Sequence, residues 1–572
     1  MHSVSRTSPL IARCSDELVR WLLAAGVDEL FGIPGGAISP LYDALARSTA
    51  RMVMTQHESM AVYAAMGRHH ATGRLQAVAV TSGPGLLNTL TAVAAARADE
   101  IPLLVLAGEV RTGWSGRGAL QDGGPAGLDV ATMFAPVVRG VFTLDAAGDL
   151  PALLDAARVA ATRHPRGPVL VRLPVDVAGS PFSPAEARAG EPPAPPAPLA
   201  PPSDALAAIA AELRGARRPV LFAGVGARSA GVGDELTALA YRLRAPVITD
   251  LEAKGLVDER EPLSLGAYGI GSTGAAQRWL ESGVDVLLTI GARLDDTATA
   301  GFAAGLRAPR LLQLDHDPAR LGRPWTPDVA VHCDLRAALV ALRNAVGTLP
   351  VAEVLRRDAE LRSLRDRPEE LPVFDAAPFH PAAAVRALQD AFGPRARFTS
   401  DIGNHLLFAG RWLEASGPDT LRVSIGLGGM GSGIGLAMGL ATASRGRGDA
   451  SVVGICGDGG VLMVGNELAT CARYRIPAVF AVFDNRGFGM IAHGMKRVYG
   501  EASFCDVPEV DLVQYARSLG VRAVDVRSSA DLREAAAVAG DGPLLLRIPV
   551  DPDVELVNPR DAGFLRAEVS RS

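Results

Sequence analysis

Between Gly454 and Gly489 the chain reads GICGDGGVLMVGNELATCARYRIPAVFAVFDNRGFG. One apolar run ends on Gly457-Asp458-Gly459-Gly460, a helix-length segment follows, and a second apolar run, AVFAVF, ends on Asp484-Asn485. Short apolar runs without alternation, bounded by turn residues, predict strands buried on both faces. The stretch therefore predicts a parallel βαβ unit with VLMVGNELATCARYR as its crossover helix. Ligands of open α/β sheets bind at the carboxyl ends of strands, so Asp458 and Asn485 fall on one edge, close together if their strands are neighbours. A carboxylate and an amide oxygen suit a hard cation such as Mg²⁺, completed by phosphate oxygens. The glycines beside Asp458 let backbone N–H groups approach those phosphates at a helix N-terminus. Either motif alone is ordinary turn chemistry. Together, on this frame, they predict a Mg²⁺-diphosphate clamp.

Outward from this unit, the same alternation of short apolar runs and helical periodicity fills the chain: LQAVAVTS, IPLLVLAG, RPVLFAG and VDVLLTIG are further examples. The predicted fold class is α/β, with three doubly wound parallel-sheet domains. Proline density from Ser180 to Ser203 (SPFSPAEARAGEPPAPPAPLAPPS) predicts an extended linker. The charged, proline-dotted segment 347–379 is expected to carry a helix and then a connector. The domains are accordingly expected at 1–179, 204–346 and 380–556, with a tail at 557–572. The first and third blocks also echo each other. AVAVTSGPGLLNTLTAVAAARADEIPLLVLAG (77–108) and SVVGICGDGGVLMVGNELATCARYRIPAVFAVFDN (451–485) share strand, Gly-rich turn, helix, Ile-Pro and strand at almost equal spacing. Two copies of one module, with the middle block between them, are expected.

Composition narrows the partners. A chain of 572 residues with 48% apolar residues and a net charge of −5 is long enough for several large cores and carries no basic footprint for nucleic acid or anionic membrane. Five cysteines without a C-x-x-C pair read as buried free thiols in a reducing compartment. No signal-peptide-like start and no run of about 18 apolar residues occur. A soluble, cytoplasmic protein is expected.

Gly-Asp-Gly followed at this distance by Asp484-Asn485 resembles the cofactor motif of the thiamine-diphosphate enzyme superfamily, which closes with Asn-Asn; the sequence is most similar to its acetolactate-synthase-like branch. Other segments match in order. FGIPGGAISPLYDAL (31–45) resembles that branch's opening loop, and QHESMAVYAAMGR (56–68) the segment carrying the catalytic glutamate, here Glu58. TSGPG (81–85) resembles the turn that follows, and ALQD (119–122) gives Gln121 on the substrate side. DIGNHLLF (401–408) puts Asn404 and His405 where diphosphate contacts are expected. GLGGMGSGIGLA (426–437) sets Met430 beneath the bent cofactor, with the Gly428 carbonyl and the Met430 amide toward the pyrimidine.

The resemblance implies thiamine diphosphate held with Mg²⁺. Asp458, Asn485 and the backbone oxygen of Gly487 would be metal ligands, and Gly457, Gly459 and Gly460 would lie against the diphosphate. It implies decarboxylation of a 2-oxo acid, pyruvate the simplest, and transfer of the acyl carbanion to a carbonyl acceptor. A largely buried Glu58, hydrogen-bonded to the pyrimidine, would suit proton sharing near neutrality. A bulky residue such as Met430 would hold the cofactor's two rings in their reactive bend. The active site would lie between Glu58 of one subunit and Asp458 of another, making a homodimer the minimum unit and a homotetramer an alternative. A simple 2-oxo-acid decarboxylase and a catalytically silent cofactor-binding protein are the competing readings.

The middle block carries GVGARSAG (224–231), GARLDD (291–296), LDHDP (314–318) and CDL (333–335), which resemble segments that hold a structural FAD in acetolactate synthases. Relatives without flavin keep similar segments, so FAD is left open. On the acceptor side the chain departs from that branch. Thr297 stands where an acetolactate synthase has the arginine closing GARFDDR, Val175 where it has a lysine, Gly494 where it has a tryptophan and His493 where it has a glutamine. An acceptor carboxylate left unpaired in a partly desolvated site costs several kcal/mol. A larger or uncharged carbonyl acceptor is therefore expected. Finally, Gly426-Leu427-Gly428-Gly429-Met430-Gly431 is a literal G-x-G-x-x-G, but the acid required after the next strand is missing, since Asp449 precedes that strand.

Overall fold

The computed structural model describes residues 12–186, 199–365, 369–444 and 451–560. The middle of the proline-rich segment and the last twelve residues of the expected tail lie outside them. Among the described residues the strands form three six-stranded sheets in which every pairing is parallel. The chain divides into two compact units, Met1–Pro196 and Ala197–Ser572.

The first unit holds one sheet, in spatial order Arg51–Met54, Glu29–Gly32, Gln76–Val80, Leu103–Glu109, Pro168–Pro174, Val141–Thr143. Counted along the chain this is 2-1-3-4-6-5. The last sheet of the second unit runs Leu421–Val423, Arg397–Ser400, Val452–Gly457, Ala478–Asp484, Leu544–Pro549, Arg522–Asp525, again 2-1-3-4-6-5. The expected repeat is thus present as shared topology. The remaining sheet, whose strands come between those two in the chain, runs 3-2-1-4-5-6 by the same count, the order of dinucleotide-binding folds.

Strands such as Leu103–Glu109 and Val452–Gly457 are apolar along almost their whole length because helices cover both faces. Leu30, Leu104, Leu106 and Val171 sit in the first core, Leu221, Leu288 and Leu312 in the central one, and Phe398, Val453, Val479 and Leu546 in the third, all fully buried. Each such side chain contributes about 1.5–3 kcal/mol of burial energy. Helix Val351–Arg365 occupies the charged segment, and Arg357, buried there, donates to the Leu243 carbonyl at 2.6 Å. All five cysteines are free and buried. No described helix is long and apolar enough to cross a membrane.

One expectation is corrected. The crossover helix of the opening stretch is two helices, Asp458–Val464 and Glu467–Tyr474, and the first begins at Asp458 itself. The break falls at Gly465-Asn466, the weakest helix formers of the run. The Asn466 side chain accepts a hydrogen bond from the Tyr515 hydroxyl at 3.1 Å. The first unit's counterpart breaks in the same place, between Pro84–Leu87 and Leu90–Ala98, again at an asparagine, Asn88.

Candidate active site

The strands carrying Asp458 and Asn485 are direct neighbours, Gly457 standing in register with Phe483. Their carboxyl ends open into a pocket lined by Asn404, His405, Met430, Gly457, Asp458, Gly459, Gly460, Asn485 and Gly487, with Phe483 and Phe488 as apolar wall. Nine of the ten residues expected here from sequence therefore meet. The exception is Gly428. It does not line the pocket but bends the preceding turn with φ +71°.

Asp458 is 3% exposed. Its Oδ1 accepts from the Gly459 amide at 2.8 Å and its Oδ2 from the Gly487 amide at 3.1 Å, so one side chain ties the two strand ends together. Burial, with Asp484 nearby, pushes its pKa up to about 6 against those hydrogen bonds. A carboxylate held at such cost is what a divalent cation relieves. Asn485 and Gly487 line the same pocket, the Gly487 carbonyl accepting from the Gly489 amide at 2.9 Å with a lone pair to spare; a carboxylate, an amide and a carbonyl are a donor set that fits Mg²⁺. Asp484, where the family's first asparagine stands, turns away. Its Oδ2 accepts from Arg547 Nε at 2.7 Å on the adjacent strand, and Arg547 also reaches Asp525 at 2.8 Å.

Asn404 opens helix Asn404–Trp412, with its Nδ2 3.4 Å from the Val554 carbonyl and its Oδ1 buried without a partner. An orphaned buried amide oxygen calls for a donor or a cation to complete it. His405 Nε2 donates to the Asp401 carbonyl at 3.0 Å, and burial pushes its pKa down to about 4. The ring is thus neutral at pH 7 and turns an acceptor nitrogen, Nδ1, toward Gly403 and Gly457.

Sequence reasoning missed Asp401. It is wholly buried, and its carboxylate accepts from the Gly431 amide at 2.9 Å and the Gly433 amide at 3.2 Å. Burial pushes its pKa up to about 6 despite those bonds. Asp401 thus caps helix Ser432–Ala443 and fixes the turn carrying Met430. It also closes the G-x-G-x-x-G decoy, because the amides a dinucleotide phosphate would need are held by the chain's own acid. A Cβ on Gly460 would stand 2.4 Å from Asp401 Oδ2, so the last glycine of the motif makes room for this carboxylate. The signal was present in DIGNH, but an acid before a turn reads as turn chemistry.

The first unit gathers its own group. Glu58 opens helix Glu58–Thr72 and its Oε2 accepts from Asn88 Nδ2 at 2.9 Å. The expectation of a largely buried Glu58 is not met within this unit: the residue is half-buried. Gln121 accepts from the Ser82 hydroxyl at 3.2 Å, and Gly83, at φ +62°, gives way to its side chain, a Cβ there standing 2.7 Å from Gln121 Cγ. A Cβ on Gly85 would lie 3.5 Å from Glu58 Oε1, so TSGPG joins the two residues. Gln121 itself is held at φ +64° by its neighbour Asp122. The Gly116 amide, at 2.6 Å, leads in holding the Asp122 carboxyl below its usual range, with Gly124 and Ser115 also donating.

Residues 12–126 match the N-terminal TPP binding domain of thiamine pyrophosphate enzymes, 206–342 their central domain and 401–548 their C-terminal TPP binding domain. The chain is 33% identical to the acetolactate synthase large subunit of Parasynechococcus marenigrum, over 92% of this chain and 85% of that one. It is 29% identical to the acetolactate synthase isozyme 1 large subunit of Escherichia coli, over 94% and 93%. The chain belongs to the thiamine pyrophosphate enzyme family. An X-ray structure of a candidate thiamin diphosphate-dependent enzyme from Mycobacterium smegmatis aligns with a TM-score of 0.80 at 25% identity, covering 95% of this chain and 100% of that one. Within the family the chain stands in the acetolactate-synthase-like branch, as a thiamine-diphosphate-dependent enzyme of carboligase chemistry.

Proposed function

We propose that this enzyme uses thiamine diphosphate and Mg²⁺ to decarboxylate a 2-oxo acid, pyruvate the simplest, and to join the remaining acyl group to a carbonyl acceptor larger or less charged than a second 2-oxo acid. The observation that carries the reading is the convergence of Asp458, Asn485 and Gly487 on one pocket, with Asp458 buried at an energetic cost that a cation offsets. Asp458, Asn485 and the Gly487 carbonyl would hold the metal, and the diphosphate would lie against Gly457, Gly459 and Gly460, with Asn404 Nδ2 as a donor, since the Gly459 amide is already on Asp458. His405 offers a lone pair instead of a hydrogen toward that side, so it serves as wall and not as phosphate donor. Met430 supports the bend between the rings, and the Gly428 turn presents backbone to the pyrimidine. Bound thiamine diphosphate supplies the nucleophilic carbon and stores the electron pair released as CO₂ departs.

Glu58 holds the proton shared with the pyrimidine, and Gln121 orients the reacting carbonyl. Each site needs Glu58 from one subunit and Asp458 from another, in a homodimer or a homotetramer. Leu427, Met463, Ile491 and Tyr499, exposed on segments that flank the pocket, support a covering partner. Buried free thiols are consistent with a cytoplasmic enzyme.

The acceptor reading rests on missing cations. Thr297 hydrogen-bonds to Asp295 at 2.6 Å in place of an arginine, and His493 turns its Nε2 to the Pro552 carbonyl at 2.8 Å. Incubation with thiamine diphosphate, Mg²⁺ and a panel of 2-oxo acids, each with and without aldehyde or ketone acceptors, tests it by mass spectrometry. A coupled product with an uncharged acceptor is expected. Acetolactate from pyruvate alone at the rate of a dedicated synthase would refute the acceptor assignment, and aldehyde as sole product would refute ligation.

A further inference from the structure

The central sheet reverses its strand order between Pro219–Ala223 and Val286–Ile290, which pair from Pro219↔Val286 to Ala223↔Ile290. In sheets of this order a dinucleotide's diphosphate lies at the reversal, on backbone N–H groups at the start of the helix that follows the first strand. Here those groups are already engaged. The Gly224 amide donates to the Ile290 carbonyl at 3.1 Å and the Gly226 amide to the Gly291 carbonyl at 2.8 Å, zipping the two strand ends shut. The Val225 amide donates to Oδ2 of Asp250 at 3.2 Å. Asp250 follows the neighbouring strand Val247–Thr249, is 3% exposed, and takes the Ala253 amide on its other oxygen at 2.7 Å. The helix itself, Val225–Ala230, is less than two turns long.

The surroundings are equally committed. A Cβ on Gly226 would lie 2.8 Å from Nη1 of Arg320 and 2.9 Å from the Gly291 oxygen, so the space beside this glycine is filled by the chain's own guanidinium. Arg293, from GARLDD, is ion-paired with the buried Glu252 and reaches Asp295 Oδ2 at 3.1 Å. Asp250, Glu252, Asp295 and Asp315 thus crowd one edge of the sheet. A diphosphate would have to displace a buried carboxylate from the helix start, and the cations that could receive it are already paired, Arg293 with Glu252 and Asp295 and Arg320 with Asp315 at 3.8 Å. The residues present do not fit a flavin dinucleotide.

We infer that this central domain holds no FAD and that its dinucleotide crevice is closed by Asp250, with the Glu252–Arg293–Asp295 ion pairs supplying internally the cross-strand ties that a bound dinucleotide would supply. The inference is independent of which acceptor the enzyme uses, and its readouts need no turnover. The full chain, purified without added flavin, is expected to show no absorption band near 450 nm. FAD or ADP added to about 100 µM should leave the melting temperature within about 1 °C of its starting value, and FAD fluorescence should show no saturable quenching. Thiamine diphosphate with Mg²⁺, run in parallel, should raise the melting temperature, which shows that the preparation binds ligand. Flavin present near one per chain, or a saturable response to FAD or ADP, would overturn the inference.

Discussion

The first and last sheets have the same strand order and the same broken crossover helix, yet their carboxyl edges carry different side chains. In the last sheet the turn after the third strand carries an acid between glycines, and the acid is buried and bonded across to the next strand end. In the first sheet the equivalent turn, Ser82-Gly83-Pro84-Gly85, carries no acid. Its glycines instead make room for Gln121 and lie beside Glu58, which arrives from a different helix. Even the asparagine at the helix break is used differently: Asn88 serves Glu58, whereas Asn466 only ties down Tyr515. Topology fixes where an edge is, and one residue in one turn decides which side chains gather there.

Four substitutions sharpen or break this contrast. Asp458→Ala should have the largest effect, lowering activity by about 10³-fold or more and abolishing Mg²⁺-dependent cofactor binding by calorimetry, while the metal-free protein melts no lower. Retained cofactor binding would make the two edges equivalent after all. Glu58→Gln should lower kcat by about 10²–10³-fold while cofactor affinity stays within a few-fold, because the proton site and the ion site are separate.

Asp401→Asn should cost about 10–100-fold in activity through the Met430 turn. It should also change the pH dependence of stability. The native pKa of Asp401 is raised from 3.8 to about 6. Its protonated form therefore favours the native state below pH 4, and that contribution is lost as pH rises through about 6. The loss amounts to about 3 kcal/mol at most. Denaturant titrations at pH 5 and pH 7 should show wild type losing more stability on that rise than the variant does. Asp484→Asn, which recreates the family's Asn-Asn, should have the smallest effect: about 1 kcal/mol lost with the Arg547 ion pair, and activity nearly unchanged.

Much of this was legible in the sequence. The strands of the opening stretch, the parallel sheets and the meeting of Asp458 with Asn485 follow from period, turn chemistry and the edge rule for α/β sheets. What was not legible depends on partners far along the chain. The tie between Asn466 and Tyr515 spans two helices. The role of Asp401 needs the amides of Gly431 and Gly433, and the half-exposure of Glu58 concerns a surface that no local pattern describes. Gly428 does not line the pocket, because a family motif gives the order of residues but not which of them face it.

The carboxylate of Asp401 and the missing side chain of Gly460 occupy one volume. Position 460 therefore cannot gain a side chain while the acid at 401 keeps its place. A library that randomises residue 460 by itself should return glycine, whereas one that also shrinks residue 401 should recover alanine or serine there. The pair is a ratchet tooth in the lineage of this motif: breeding a side chain into position 460 would have to begin at 401.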